Sequence, residues 1–139
     1  MLVMHLFVLH HRLKDEEQAH RAVSQRVFDA FIDDMDSALR EAAVGDQTVP
    51  KRIAKMTQVF YGRTGAYEKA LQSNDVSTAL EDVIARNLFA EMKNPPNAKP
   101  LAHYLNWQIN DLAAKPVKAI VEDVEIYGGP LLGPEAYYE

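Results

Sequence analysis

A few side chains in the N-terminal third are of the types that bind metal ions. Glu17 and His20 stand three residues apart, which is the spacing of one half of a di-iron motif on a helix. That chemistry needs a second such pair and two further inward-facing glutamates from other helices, and this set is missing. His10 and His11 are adjacent, so they point to different sides of a helix and form a poor chelating pair. The sequence therefore predicts no metal site and no cofactor.

An acidic run in the next segment has a simpler interpretation than a cation site. Asp29, Asp33, Asp34 and Asp36 lie close together in the sequence. At 100° per residue, Asp29, Asp33 and Asp36 fall on the outer face of one helix, where carboxylates are solvated. We expect a solvent-exposed acidic face.

Nucleophilic catalysis has little support. The chain has no cysteine, and its only serines are Ser24, Ser37, Ser73 and Ser77, none in an activating context. No glycine-rich phosphate loop and no Gly-x-Ser-x-Gly nucleophile elbow is present. The sequence predicts a protein that is not an enzyme, with a metal-dependent helical enzyme as the weaker alternative.

Length and charge narrow the class of protein further. The chain has 139 residues, 47% of them hydrophobic, which suits one domain over residues 1–139 with a sizeable core. The net charge of -5 gives no global attraction to nucleic acid, so no DNA partner is expected. The absence of cysteine permits a reducing compartment.

The apolar pattern predicts an all-α fold, a bundle of about five helices with an irregular C-terminal tail. Gly45 is expected to end the second helix, and the Asn94–Asn97 segment, with its two prolines, separates the fourth from the fifth. The β-branched stretch Val117–Tyr127 predicts a short strand or an extended arm within a tail over residues 116–139. The predicted helices cover Leu2–Lys14, Glu17 or Ala22 to Ala43, Thr48–Gln72, Val76–Met92 and Pro100–Ala114.

The first helix resembles a signal peptide only superficially. Met1–Leu13 is apolar, but it lacks a basic n-region and a small-residue cleavage site. It is also shorter than the roughly 20 apolar residues that span a bilayer. We therefore expect a buried helix.

Three polar residues fall on apolar stripes. Arg63 lies in the middle of the stripe of the third helix, with Arg52 near its N-terminal end, and Asn87 lies in the stripe of the fourth. One interpretation makes Arg63 and Asn87 internal ties, with Asp34 or Asp36 as the carboxylate that pairs with Arg63. The other places them in a groove where a partner binds.

Three aromatic residues project away from their helices' apolar stripes. They are Tyr61, Phe89 and Trp107, and Tyr137 and Tyr138 follow in the tail. Contiguous apolar surfaces of this kind mark interaction sites, so we predict one partner-binding surface. The surface serves either a client or a second copy of this chain, as in a dimerising scaffold.

Lysines also recur on one side of the third helix. Lys51, Lys55 and Lys69 form a predicted positive strip. The strip is either an ordinary solvated face or a contact for lipid headgroups, ribosomal RNA or acidic loops of a client. The complete predicted partner-binding set is Lys51, Lys55, Tyr61, Arg63, Arg86, Phe89 and Trp107.

Two long segments resemble the shared core of the ubiquinol–cytochrome c chaperone family. They are FDAFIDDMDSALREAAVGDQTVPKRIAKMTQVFYGRTGAYEKAL, Phe28–Leu71, and ALEDVIARNLF, Ala79–Phe89. The opening LVMHLFVLHHRLKDE resembles the first helix of that family. Members commonly carry further sequence before this helix, which leaves open a truncated chain or a short form. The most telling pieces are Asp33-Asp34-Met35-Asp36, Val44-Gly45-Asp46, Pro50-Lys51, Phe60-Tyr61-Gly62-Arg63 and Arg86-Asn87.

The resemblance implies a helical assembly factor that binds newly synthesised cytochrome b for the bc1 complex and has no reaction of its own. The resemblance also implies that the factor acts at the membrane surface, before or during haem acquisition by cytochrome b. In mitochondrial relatives it implies contact with the ribosome. The absence of an Arg- and Ser-rich presequence favours a bacterial, cytoplasmic member peripheral to the inner membrane. A eukaryotic member would act on the matrix side.

Overall fold

The computed structural model describes residues 2–122, and every regular element in that range is an α-helix. This confirms the predicted all-α fold. None of these helices combines the length and the apolar character that a membrane span requires. The six helices are α1 (Leu2–Leu13), α2 (Gln18–Glu41), α3 (Val49–Leu71), α4 (Val76–Leu88), α5 (Lys99–Ala114) and α6 (Val117–Glu122).

The chain divides into two compact units, Met1–Thr64 and Gly65–Glu139, which we call the N-terminal and C-terminal units. The boundary lies inside α3, so this helix contributes residues to both. The prediction of one domain over residues 1–139 stays a prediction.

The core of the N-terminal unit is rich in aromatic side chains. Helix α1 packs against α2 and is buried along most of its length, which confirms the expected buried helix. Leu6, Phe28 and Phe60 form a buried cluster, and the ring centroids of Phe28 and Phe60 are 4.6 Å apart. Offset aromatic pairs at this distance contribute beyond the area that they bury. The cluster thereby joins α1, α2 and α3.

The C-terminal unit has its own core, in which α4 packs against α5. Leu80 and Ile84 of α4 are completely buried, as are Tyr67 of α3 and Leu112 of α5. Gln108 is also fully buried in α5, and its amide donates a hydrogen bond to the Tyr104 hydroxyl at 2.8 Å. The hydrogen bond offsets part of the cost of burying this polar group.

Helix α4 has a well-formed start and an early end. The Asp75 carboxylate caps its N-terminus by accepting from the Thr78 N–H at 3.1 Å and from the Thr78 hydroxyl at 2.7 Å. These bonds, with the hydroxyl bond the larger cause, hold the pKa of Asp75 below its usual value. The helix ends at Leu88 rather than at the predicted Met92, and Phe89 is its C-cap.

The end of α2 differs from the sequence expectation. Ala43 has the left-handed conformation, with φ of 57°, and no described glycine has a positive φ, so the predicted role of Gly45 was wrong. The N–H of Val44 donates to the Leu39 carbonyl, and the N–H of Ala43 donates to the Arg40 carbonyl. This pair of bonds is the Schellman arrangement, whose left-handed position usually holds glycine. The sequence places its glycine two residues later.

Replacing Ala43 by glycine is therefore expected to stabilise the protein. The left-handed conformation costs an L-residue roughly 1–2 kcal/mol, and the greater freedom of glycine in the unfolded chain offsets part of this gain. We expect the free energy of unfolding to rise by about 0.5–1 kcal/mol, measured by urea denaturation. Ala42→Gly is the matched control, since Ala42 has a φ of -73° and its replacement should destabilise. A loss of stability in Ala43→Gly would contradict the prediction.

The segment after α5 is helical where a strand or an extended arm was predicted. Lys115 is extended, as a residue before proline prefers, and α5 ends there. Pro116 then precedes the short helix α6, in which the N–H of Ile120 donates to the Pro116 carbonyl and the Ile120 side chain is buried. The short helix α6 buries Ile120 without pairing to a strand, and this explains the difference for residues 117–122. The rest of the predicted tail, with Tyr137 and Tyr138, lies outside the described residues.

Candidate functional site

An apolar groove in the N-terminal unit is the principal candidate site. Its volume is about 580 Å³, within the range of ligand-binding clefts. We call it the basic groove, because three cationic residues line it together with five apolar ones. Its lining residues are Val3, Phe31, Leu39, Arg52, Lys55, Met56, Val59 and Arg63.

The groove exists because the apolar faces of α2 and α3 are incompletely covered. Phe31, Leu39 and Met56 are only partly buried, and Val59 is 37% exposed. Five of the lining residues come from α3, at positions 52, 55, 56, 59 and 63. Residues three, four, seven and eleven apart share one face of a helix, so α3 presents this stripe to the groove along about three turns.

Two cations of the groove, Arg52 and Lys55, differ from Arg40, which lies in the same unit. Arg40 of α2 forms ion pairs with Asp36 at 2.6 Å and with Asp46 at 3.1 Å, which raise its pKa. Arg52 and Lys55 are exposed, and neither forms an ion pair with any residue between 2 and 122. The groove therefore carries local positive charge in a protein whose net charge is -5.

The predicted polar ties stay predictions. Both carboxylate oxygens of Asp36 accept hydrogen bonds from Arg40 on the same helix, and Asp34 is exposed. Asn87 donates to the Val83 carbonyl within α4 at 2.8 Å. Arg63 is half-buried and lines the basic groove. A position in a groove was one of the two interpretations of Arg63, and a role as an internal tie was the other.

The predicted lysine strip is exposed, but its members lie in different surroundings. Lys55 lines the basic groove, and Lys51 is exposed near the start of α3. Lys69 belongs to the C-terminal unit, where it lines a second groove of about 290 Å³ with Arg86 and Asp82. This groove has mixed charge and a floor of small residues, so it is a weaker candidate. The strip as a joint binding surface stays a prediction.

The three outward aromatic residues are exposed to different degrees. Tyr61 is 55% exposed and belongs to the N-terminal unit, where its ring lies 5.9 Å from that of Phe28. Trp107 is 39% exposed in the C-terminal unit, and Phe89 is half-buried. The prediction assumed that α4 continues through Phe89 and so placed this side chain on the outer face of the helix. Because Phe89 is the C-cap of α4, that helical projection does not apply to it. Their convergence on one surface stays a prediction.

Truncating Trp107 to alanine is expected to weaken partner binding by more than about 1 kcal/mol, because exposed tryptophans often dominate binding energy. The ring is 39% exposed and its centroid lies 6.4 Å from that of Tyr104, so the melting temperature is measured beside binding to separate the two effects. Binding is measured by titration of the captured partner, and Met92→Ala, which removes another exposed apolar side chain, is the control. Equal effects of the two variants would contradict a specific role for Trp107.

The pair of Glu17 and His20 does not belong to a larger metal-binding group within the described part of the chain. The Nδ1 atom of His20 lies 3.5 Å from a carboxylate oxygen of Glu17 at the start of α2. Among residues 2–122, no group of three or more histidine, aspartate or glutamate side chains could hold a metal ion. Of the predicted solvated acidic face, Asp29 and Asp33 are exposed, whereas Asp36 is half-buried and paired with Arg40.

The apolar residues of the basic groove were not predicted as a binding site from the sequence. Val3, Phe31, Leu39 and Val59 have the residue types and spacing of core positions, and the sequence does not tell how completely each one is covered. The sequence feature that could have indicated the groove is the presence of both Arg52 and Arg63 on the apolar stripe of α3. A charged residue repeated on an apolar stripe indicates an edge that stays open to water.

A helical chain with an open apolar groove and a cationic rim has the features of a polypeptide-binding protein. Comparison with known proteins makes this class specific. The model of the family described as "Ubiquinol-cytochrome C chaperone" matches residues 1–125. The chain belongs to the ubiquinol–cytochrome c chaperone family, whose members are assembly factors for ubiquinol–cytochrome c reductase, the bc1 complex.

One solved structure supports the same assignment. The chain is similar to the crystal structure of the Cbp3 homolog from Brucella abortus, with 37% sequence identity and a TM-score of 0.77. The match covers 92% of this chain and 70% of the Brucella chain. No curated protein sequence matched the chain.

Proposed function

We propose that this chain is a non-enzymatic chaperone that binds newly synthesised cytochrome b and keeps it competent for assembly into the bc1 complex. The observation that carries the proposal is the basic groove, an open apolar surface in a member of a chaperone family. A chaperone needs apolar surface that its own fold leaves uncovered, because its clients expose apolar segments before assembly. The residues proposed to meet the client are those of the groove, together with Tyr61 and Trp107.

The proposed place of action is the membrane surface on the cytoplasmic side, or the matrix side in a mitochondrion. Cytochrome b is a membrane protein, so its newly made segments emerge beside the bilayer. Exposed lysines on α3, Lys51, Lys55 and Lys69, would favour contact with anionic lipid or ribosomal RNA. This contact is proposed as a weak addition to client binding.

Affinity capture from native membranes tests the proposal. The tagged chain is recovered after mild solubilisation, and co-purifying proteins are identified by mass spectrometry. We expect cytochrome b to be enriched, most strongly when translation of new chains is active. Enrichment of mature bc1 subunits with no excess of cytochrome b would contradict a role in early assembly.

A dimerising scaffold is the second candidate, because exposed Tyr61 and Trp107 are also suited to self-association. Sedimentation velocity over a hundredfold range of protein concentration separates the two. A client-binding chaperone sediments as a monomer throughout, whereas a scaffold changes to a dimer. Metal analysis of the purified protein tests the remaining alternative, a metal-dependent enzyme, which requires a stoichiometric metal ion.

A further inference from the structure

We propose that the basic groove recognises an elongated, amphipathic and acidic polypeptide segment in helical form. The inference rests on the proposed function, since it specifies the chemistry of the client segment that this groove takes. Its partner is defined by three properties of the groove: the sign of its charge, the spacing of that charge and the shape of its apolar floor.

The sign of the charge favours an acidic segment. Each charged residue of the groove lining, Arg52, Lys55 and Arg63, is cationic. Arg40 of α2, in the same unit, is already engaged by Asp36 and Asp46, whereas Arg52 and Lys55 form no ion pair with any described residue. Carboxylates of a bound segment would complement them, and a basic segment would be repelled.

The spacing of the charge favours an extended partner over a single anion. Arg52 and Arg63 are eleven residues apart on α3, which corresponds to about 16 Å along the helix axis. One phosphate headgroup contacts cations within a few ångströms, so it cannot engage both ends of this row. A polypeptide segment can place a carboxylate against Arg52 and Lys55 and still contact the groove lining as far as Arg63.

The apolar floor favours a helix as the form of that segment. Met56 and Val59 lie between the cations on α3, and Phe31 and Leu39 line the groove from α2. Phe31 and Leu39 are separated by eight residues, about two helical turns. A helix presents apolar side chains at i, i+3, i+4 and i+7 on one face, which matches a linear floor of this length. The floor supplies affinity, and the cations supply orientation and selectivity.

Three synthetic helical peptides of about three turns test the inference. They share one leucine stripe and differ only in flanking residues, which are glutamate, glutamine or lysine. Binding to the full chain is measured by fluorescence anisotropy at low and high salt. We expect the glutamate peptide to bind at least about tenfold more tightly than the lysine peptide, with the preference reduced by salt.

The double variant Arg52→Glu and Lys55→Glu should reverse the order, so that the lysine peptide binds more tightly. The control, Arg26→Glu with Lys118→Glu, changes the total charge equally at exposed positions outside the groove and should keep the original order. Arg52→Gln with Lys55→Gln abolishes the preference without introducing repulsion, and circular dichroism establishes that each variant is folded.

Equal affinity for the three peptides would overturn the inference, as would an order that the groove variants leave unchanged. Binding of phosphatidylglycerol vesicles that depends on Arg52 and Lys55, with no peptide preference, would assign the groove to lipid instead. Capture of cytochrome b from membranes separates this failure from that of the proposed function. If capture persists while the peptides show no preference, only the acidic-helix inference fails.

Discussion

Replacing Phe60 by alanine is expected to lower the free energy of unfolding by about 3–5 kcal/mol, the cost usual for removing a buried phenyl ring. Phe60 is 5% exposed and stacks against Phe28 with a centroid distance of 4.6 Å. Its ring also lies 5.4 Å from that of Tyr61. Partly buried Val3 and Phe31 pack on the same cluster, and both line the basic groove. The loss of the ring should therefore loosen the floor of the groove as well as the core.

Urea denaturation followed by circular dichroism measures this loss. Gln58→Ala on the same helix is the control, since Gln58 is exposed and its replacement should change stability by less than about 0.5 kcal/mol. A Phe60→Ala protein with nearly unchanged stability would show that the cluster of Leu6, Phe28 and Phe60 does not form the core of the N-terminal unit.

Reversing the charge at Arg52 and Lys55 is expected to reduce the recovery of cytochrome b from membranes by about tenfold. The physical reason is repulsion of an acidic client segment in place of attraction, which slows association and shortens the lifetime of the complex. Because both side chains are exposed, the fold and the melting temperature should be retained. The mature bc1 complex should fall in cells that depend on this variant.

The matched variant, Arg26→Glu with Lys118→Glu, distinguishes the groove from the total charge of the protein. Both replaced residues are exposed, and neither lines the basic groove. Recovery of cytochrome b should stay near that of the unchanged protein. An equal loss in the two variants would mean that net charge, and not the groove, governs capture.

Much of the fold follows from simple patterns in the sequence. The apolar spacing of α3 predicted a helix with one apolar stripe, and two residues of that stripe, Phe60 and Tyr67, are each 5% exposed or less. The ends predicted for the first, third and fifth helices, Lys14, Gln72 and Ala114, lie within one residue of the observed ends. The left-handed Ala43 was not predictable, since alanine rarely adopts that conformation and Gly45 offered a more favourable residue two positions later.

The candidate site was predictable only in part. Arg63 and Lys55 were selected because of their positions on α3, and both line the basic groove. The floor was missed because Phe31 and Leu39 look like ordinary core residues, and incomplete coverage by neighbouring helices is a tertiary property. The identity of the client could not be predicted from the apolar periodicity or the charge of the chain, because these describe a surface and not the molecule that binds it. Resemblance to the family supplied that expectation.

Site-specific photocrosslinking in cells tests the central claim most directly. A photoreactive phenylalanine analogue is placed at Val59, which is 37% exposed on the floor of the basic groove, and for comparison at Arg26, which is exposed outside it. Illumination during active synthesis of cytochrome b is followed by immunoprecipitation with antibody to that protein. We predict an adduct between cytochrome b and the chain labelled at position 59, and little or none from position 26. Adducts of equal yield from the two positions, or an adduct from position 26 alone, would contradict the assignment of the basic groove as the client-binding site.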